Sequence, residues 1–383
     1  MKICDLTQFY SPLSGGVKRY LHDKIAFVQS ATDHQHVLIV PGAKNEYTRS
    51  ERSRIYTIGS PMVSRTSRYR ALLDLRAMDQ IIERERPDLI ESADPYQLGW
   101  RAVRTGSELG IPVVGFYHSH FAEAHLGFPM VGDALRQAAR RYVRNLYNRF
   151  AATLVPSPGL AAVLKGWGVN NVRPVSLGVN TNIFSTAPDD AAATRGQLGL
   201  PQRRTLLLYV GRLSPEKNTR TLFRAFLELN ANAPERFHLL VIGDGPQRKE
   251  LAELQARCAN VSWVQYCAEP SELARYYRAA DLFVHPGTQE TFGLAALESQ
   301  ACGTPVAGIR GSFMDEVIRH EQTCWATENT PDALARAIQC ACETCLTIEG
   351  QGAAQLVAEE FSRRRVFERL FYIYGEICSK YRT

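Results

Sequence analysis

No apolar run in these 383 residues is long enough to span a bilayer. The opening MKICDLTQFYSPLSGG lacks the apolar core of a secretory leader and reads as a first strand and its loop. Low-complexity segments are absent. The nine cysteines are odd in number and scattered, with nothing extracellular in their context, so reduced thiols in the cytoplasm are expected. CACETC, carrying Cys340, Cys342 and Cys345, has no second cluster to complete a metal site and reads as packed thiols on a helix. A large excess of either sign of charge is also lacking. A net +6 suits an anionic substrate or membrane surface and establishes neither. No nucleic-acid-binding motif accompanies it, so nucleic acid is not an expected partner.

What the chain does have is alternation. Short β-branched runs (KICDL, HVLIV, RIYTI, DLIESA, PVVGFYH, TLVPS) are separated by amphipathic stretches at 16–29, 67–86, 95–110 and 130–150. The pattern breaks at VSLGVNTNIFSTAPDDAAATRGQLGLPQRR and resumes with TLLLYVG, FHLLVIG, VSWVQY, LFVHPG and PVAGI. Strands alternating with helices imply parallel sheets, and this length exceeds what one core usually serves. The expected architecture is α/β: two doubly wound domains, 1–180 and 181–360, facing a cleft. A long aromatic-rich helix at about 361–383 is expected to cross back onto the first domain and pack across both.

In such sheets ligands bind at the carboxyl ends of the strands. After KICDL, Gly15 and Gly16 precede a helix, either as a phosphate-approach loop or as a plain turn. After TLLLYVG, Arg212 and Lys217 flank a turn; two cations there suit a diphosphate, unless both are merely solvated. VIGDGP is only a fragment of G-x-G-x-x-G, because position 248 is Arg, so a dinucleotide fingerprint is not supported. The stretch QETFGLAALESQACGTPV sets Glu290 at a helix mouth and Glu298 inside the helix, eight residues on. Thr291 follows Glu290, and the amides of Phe292, Gly293 and Leu294 lie between the two carboxylates. Carboxylates accept from vicinal hydroxyls, and helix-terminal amides hold anions. A sugar diphosphate nucleotide needs both. The plainer alternatives are a capping role for Glu290 and a solvated helix face for Glu298.

E-x7-E in this setting resembles glycosyltransferase family 4, retaining enzymes of the GT-B fold. The resemblance runs through FYSPLSGGVKRYL, GFYHSH, LVPSPGLAAVL, VSLGVNTNIF and YVGRLSPEKN, in order. Asn218 stands where many members have glycine, and ETFG where EPFG is common. The resemblance implies two Rossmann-like domains and transfer of a hexose from a UDP- or GDP-linked donor to a hydroxyl acceptor, with a membrane lipid or polysaccharide precursor among the possibilities. It implies that Arg212 and Lys217 neutralise the departing diphosphate, that Glu290 holds sugar hydroxyls, that Glu298 holds the ribose, and that His118 contacts the donor sugar. Gly16 and the amides after Glu290 would approach phosphates and sugar. No cofactor beyond the nucleotide sugar is implied, and with no D-x-D triplet no metal is expected.

Two other features compete. HSHFAEAH offers His118, His120, His125 and Glu123 as a conceivable metal set. The basic segment 136–150, with Leu135, Ala138, Tyr142, Leu146 and Tyr147 to one side, either packs on the sheet or, helped by 61–70, docks on anionic lipid on the cytoplasmic face of a membrane. The rival function classes are a non-catalytic sugar-nucleotide-binding protein, against which the four intact charged residues argue, and a dinucleotide oxidoreductase, against which the incomplete glycine fingerprint argues. Sugar, base and acceptor are not legible.

Overall fold

The structure, a computed structural model, describes residues 1–11, 16–63, 68–118, 133–187, 191–319, 325–344 and 346–382. The chain forms two units, Met1–Leu177 with Arg364–Thr383, and Gly178–Arg363.

The first unit runs β1 (Lys2–Leu6), α1 (Gly16–Ala31), β2 (Gln35–Gly42), β3 (Glu46–Arg49), β4 (Ser53–Gly59), α2 (Leu75–Glu85) and β5 (Leu89–Ser92). It continues with α3 (Gln97–Leu109), β6 (Val113–Phe116), α4 (Asp133–Tyr147), β7 (Ala152–Val155), α5 (Pro158–Gly166) and β8 (Val172–Pro174). Its sheet has the order β3-β4-β2-β1-β5-β6-β7-β8, parallel except for β3 against β4. The inner strands are buried along nearly their whole length, because helices cover both faces of a parallel sheet.

Two local expectations change. The stretch 67–86 becomes helical only at Leu75, because Asp74 caps there: its Oδ1 accepts from the Ala77 amide at 3.0 Å. The antiparallel edge strand β3 was not anticipated; all four of its residues are exposed, so it carries no apolar alternation.

The second unit runs α6 (Ala191–Gln197), β9 (Thr205–Val210), α7 (Thr219–Asn232), β10 (Phe237–Ile242), α8 (Arg248–Arg257), β11 (Val261–Val264) and α9 (Pro270–Ala279). Then come β12 (Leu282–His285), α10 (Leu294–Ala301), β13 (Val306–Gly308), α11 (Pro331–Ala341) and α12 (Leu346–Phe361). Its sheet is all parallel, in the order β11-β10-β9-β12-β13. Strand order reverses beside β9, which lies between β10 and β12.

The helix α13 (Arg363–Arg382) packs in the first unit, where Phe367, Leu370, Phe371 and Tyr374 join Ile3, Phe27, Val28 and Leu89 in one core. Inside that core lies a charge cluster. Nζ of the fully buried Lys24 is 3.0 Å from Asp5 Oδ1, 2.9 Å from Glu91 Oε1 and 3.2 Å from the Tyr374 hydroxyl. The Tyr374 hydroxyl donates to Glu91, and His36 Nε2 meets Asp5 at 2.6 Å. Burial would favour the neutral form of each group, yet the carboxylates outweigh it at Lys24, whose pKa rises further.

Candidate active site

The reversal of strand order in the second unit opens the space beyond the carboxyl ends of β9 and β12, the usual ligand position in such sheets. The loops that leave these two strands carry the charged residues. After β9 comes a 3-10 turn, Pro215–Lys217, closed by Asn218 in the left-handed region at φ 57°. Asparagine tolerates that region, which explains how it stands in for glycine. Its side chain also works across the gap: Nδ2 donates to the Pro286 carbonyl at 2.9 Å and to Asn329 Oδ1 at 2.7 Å. The β9 loop is thereby tied to the loop that follows β12.

On that second loop, Glu290 Oε1 meets Lys217 Nζ in an ion pair and lies 3.2 Å from His285 Nε2. Burial alone would raise the Glu290 pKa. The Lys217 charge and the His285 contact outweigh it and hold the carboxyl well below the usual carboxylate range. Lys217 is about one-third exposed, and its ammonium has three N–H groups, so donors remain for a second anion.

The helix α10 begins at Leu294, with Gly293 as its N-cap at φ 93°. A side chain there would be strained, and its Cβ would stand 2.7 Å from Met314 Cγ. No side chain caps this end, so Glu290 is not the helix cap. The amides of Phe292, Gly293 and Leu294 make no hydrogen bond among the described residues, leaving a cluster of donors at the positive end of the helix. Phe292 is buried, with its ring 6.1 Å from Phe361, and Thr291 is half-buried.

Glu298 does not lie on a solvated face. It is 4% exposed, and its Oε2 accepts from the Tyr277 hydroxyl at 3.2 Å. Arg212 is exposed and faces Glu216 at 3.5 Å. The structure thus brings Lys217 and Glu290 together, with Asn218 beside them, while Arg212 pairs elsewhere.

In the first unit, Gly16 opens α1, and among the described residues outside its neighbours no atom stands within 4 Å of where a Cβ would be. Gly15 lies outside the described residues. His118, just beyond β6, packs edge-on to Phe9 with ring centroids 5.8 Å apart, and its Nδ1 lies 3.3 Å from the Phe116 carbonyl. Burial pushes its pKa down to about 4, so it is neutral near pH 7. His120, Glu123 and His125, the remainder of the conceivable metal set, lie outside the described residues, as do 64–67 of the basic loop.

The basic helix divides. Leu146 and Tyr147 are buried, with Val143, whereas Leu135 and Ala138 are exposed among the arginines. The expectation of reduced thiols, packed on a helix in CACETC, is corrected at Cys340, which is in a disulfide. Cys342 is free, and burial raises its pKa to about 12.

Sequence reading missed three participants: His285, Tyr277 and Asn218's bridging amide. A polar residue at the last position of an apolar strand, as in LFVH, was the available signal for His285.

Comparison with known proteins gives two family matches in series. Residues 14–183 match the model for Glycosyltransferase Family 4, and residues 190–344 that for Glycosyl transferases group 1. A GDP-mannose-dependent alpha-(1-6)-phosphatidylinositol dimannoside mannosyltransferase of Mycobacterium tuberculosis is 32% identical over 347 residues, 88% of this chain and 87% of its own. A GDP-mannose-dependent alpha-mannosyltransferase of Corynebacterium glutamicum is 26% identical, covering 81% of this chain and 72% of its own. Among solved structures, sucrose-phosphate synthase from Thermosynechococcus elongatus superposes with a TM-score of 0.82 at 21% identity, over 99% of both chains.

Proposed function

This chain belongs to glycosyltransferase family 4 and moves a sugar from a nucleotide-sugar donor to an acceptor; we propose that the donor is GDP-mannose and that transfer retains the anomeric configuration without a metal ion. The observation that carries the reading is the Lys217–Glu290 pair set beside the unbonded amides of Phe292, Gly293 and Leu294, where strand order reverses. The carboxylate offers an acceptor to sugar hydroxyls. The amides, the remaining Lys217 donors and Arg212 offer charge to a diphosphate, most strongly as it departs. Glu298, oriented by Tyr277, is assigned to the ribose hydroxyls. Neutral His118 is assigned to the donor sugar as a hydrogen-bonding group. The choice of GDP-mannose rests on the two relatives named for it.

In the proposed reaction the bond between the anomeric carbon and the phosphate oxygen breaks, and the acceptor oxygen bonds to that carbon on the same face. The acceptor's proton passes to the departing phosphate, and no cofactor takes part. Product NMR should show the donor's anomeric configuration, and initial rates should be equal with and without excess EDTA. Inversion would overturn the stereochemical reading. Loss of turnover restored by Mn²⁺ would overturn metal independence.

For the acceptor we propose a lipid-borne hydroxyl, reached by peripheral attachment to the cytoplasmic face of a membrane. The specific support is the exposed Leu135 among Arg136, Arg140, Arg141 and Arg144. No helix among the described residues is long and apolar enough to cross a membrane. Vesicles containing phosphatidylinositol should bind the protein more than neutral vesicles do, and less as salt rises. Equal binding to both would favour a freely dissolved acceptor.

A further inference from the structure

His285 closes β12 with its ring buried. Its Nδ1 lies 3.2 Å from the amide nitrogen of Gly287. A backbone amide can only donate, so Nδ1 accepts, and the single proton of the neutral ring sits on Nε2. Nε2 is the atom 3.2 Å from Oε1 of Glu290, so the ring donates to the carboxylate. This approach depends on Gly287, where a Cβ would stand 2.7 Å from Cε1 of His285. The tautomer follows from the partners.

Lys217 Nζ meets the same Oε1. Two donors therefore converge on one carboxylate oxygen, and Oε2 makes no hydrogen bond among the described residues. Lys217 supplies charge from a flexible stem. The imidazole supplies direction, because its ring is packed and its second nitrogen is already committed.

We infer that His285 is a positioning residue for sugar transfer: its Nε2–H, together with Lys217, clamps Oε1 of Glu290 so that Oε2 is presented to the donor sugar. It is not the base of the reaction, since its one accepting nitrogen is engaged by Gly287. The inference rests on the assignment of Glu290 to the donor sugar.

Two variants of the full chain separate the ring's two nitrogens. The amide of His285→Asn reaches the place of Nδ1 and leaves nothing at Nε2. The longer His285→Gln places a donor at Nε2. With GDP-mannose as substrate, kcat of His285→Asn should fall roughly 10- to 100-fold, the scale of a lost hydrogen bond to a charged group. Its KM for GDP-mannose and its affinity for GDP should stay within about threefold of wild type, because neither reports a contact made in the transition state. His285→Gln should recover most of the lost rate. Unchanged kcat in His285→Asn, no recovery in His285→Gln, or a GDP affinity that falls in step with kcat would overturn the inference.

Absence of turnover in the wild type with every nucleotide sugar would sink the proposed function instead. Nitrogen-15 NMR of the imidazole then decides the present point without turnover. A neutral ring protonated at Nε2 supports it, and one protonated at Nδ1 overturns it.

Discussion

The carboxylates Glu290 and Glu298 are both largely buried, and each is held by a different kind of partner: an ammonium and an imidazole for the first, a phenol for the second. Their variants should therefore fail differently. Glu290→Gln keeps the volume and removes the charge; GDP affinity should be nearly intact, while the barrier to transfer rises by about 2–4 kcal/mol, the scale of a lost transition-state contact. Glu298→Gln should weaken GDP binding itself. Tyr277→Phe removes only the hydroxyl that orients Glu298, so it should reproduce that weakening at about tenfold or less. Isothermal titration with GDP, set beside kcat, checks all three. Full transfer activity in Glu290→Gln would mean that this carboxylate only balances Lys217.

At the scale of the element, the fastening of one loop to another makes a separate claim. Asn218 has a left-handed backbone and a side chain bonded to both Pro286 and Asn329. Asn218→Gly relieves the backbone and loses the bridge, whereas Asn218→Ala loses the bridge and keeps the strain, about 1–2 kcal/mol. Urea denaturation should rank wild type above Gly and Gly above Ala; equal stability of the two variants would mean that the φ of 57° costs nothing.

This turn also marks how far sequence reading extends. Lys217 and Glu290 were legible as site candidates because each follows an apolar strand and precedes a helical pattern, so topology alone sends both to strand ends. The alternation likewise carried the α/β class. Tyr277 was not legible, because its partner Glu298 lies on another helix and no spacing along the chain encodes that contact; His285 showed only as a polar end to an apolar strand, and the turn of its ring back onto Glu290 is set by the loop between them. The β3 edge strand escaped for the opposite reason: exposed on all four residues, it has no pattern to read. Asn218 looked like a departure from family pattern, and only three-dimensional placement shows that its amide does something glycine cannot.

For the whole molecule, one buried group and one half-buried group set limits on stability. Lys24 is compensated by Asp5 and Glu91; Lys24→Met leaves two carboxylates in the core without their cation and should cost about 3–5 kcal/mol in the unfolding of the first unit. An unchanged urea midpoint would show that the cluster relaxes by taking up protons. His118 adds a pH dependence. Its pKa in the fold, about 4, lies below its ordinary value of 6.5, so between those values the unfolded chain binds more protons than the folded one. Stability should therefore decline as pH falls from about 6.5 towards 4, and His118→Phe should flatten part of that decline. A melting temperature that depends on pH identically in both proteins would contradict this.

The position of α13 bears on the order in which the chain can mature during synthesis. Residues 178–363 form a unit of their own, whereas residues 1–177 need 364–383 to finish their core. A ribosome delivers the second unit whole before it delivers the partner that Glu91 and Lys24 await at Tyr374. Until then the first-made sheet holds an uncovered apolar face around Phe27 and Leu89, with a half-satisfied charge cluster beneath it. The part of the protein translated first is thus the part that becomes native last, and nascent chains halted before residue 364 should show a protease-resistant second unit beside a first unit that is still cleaved.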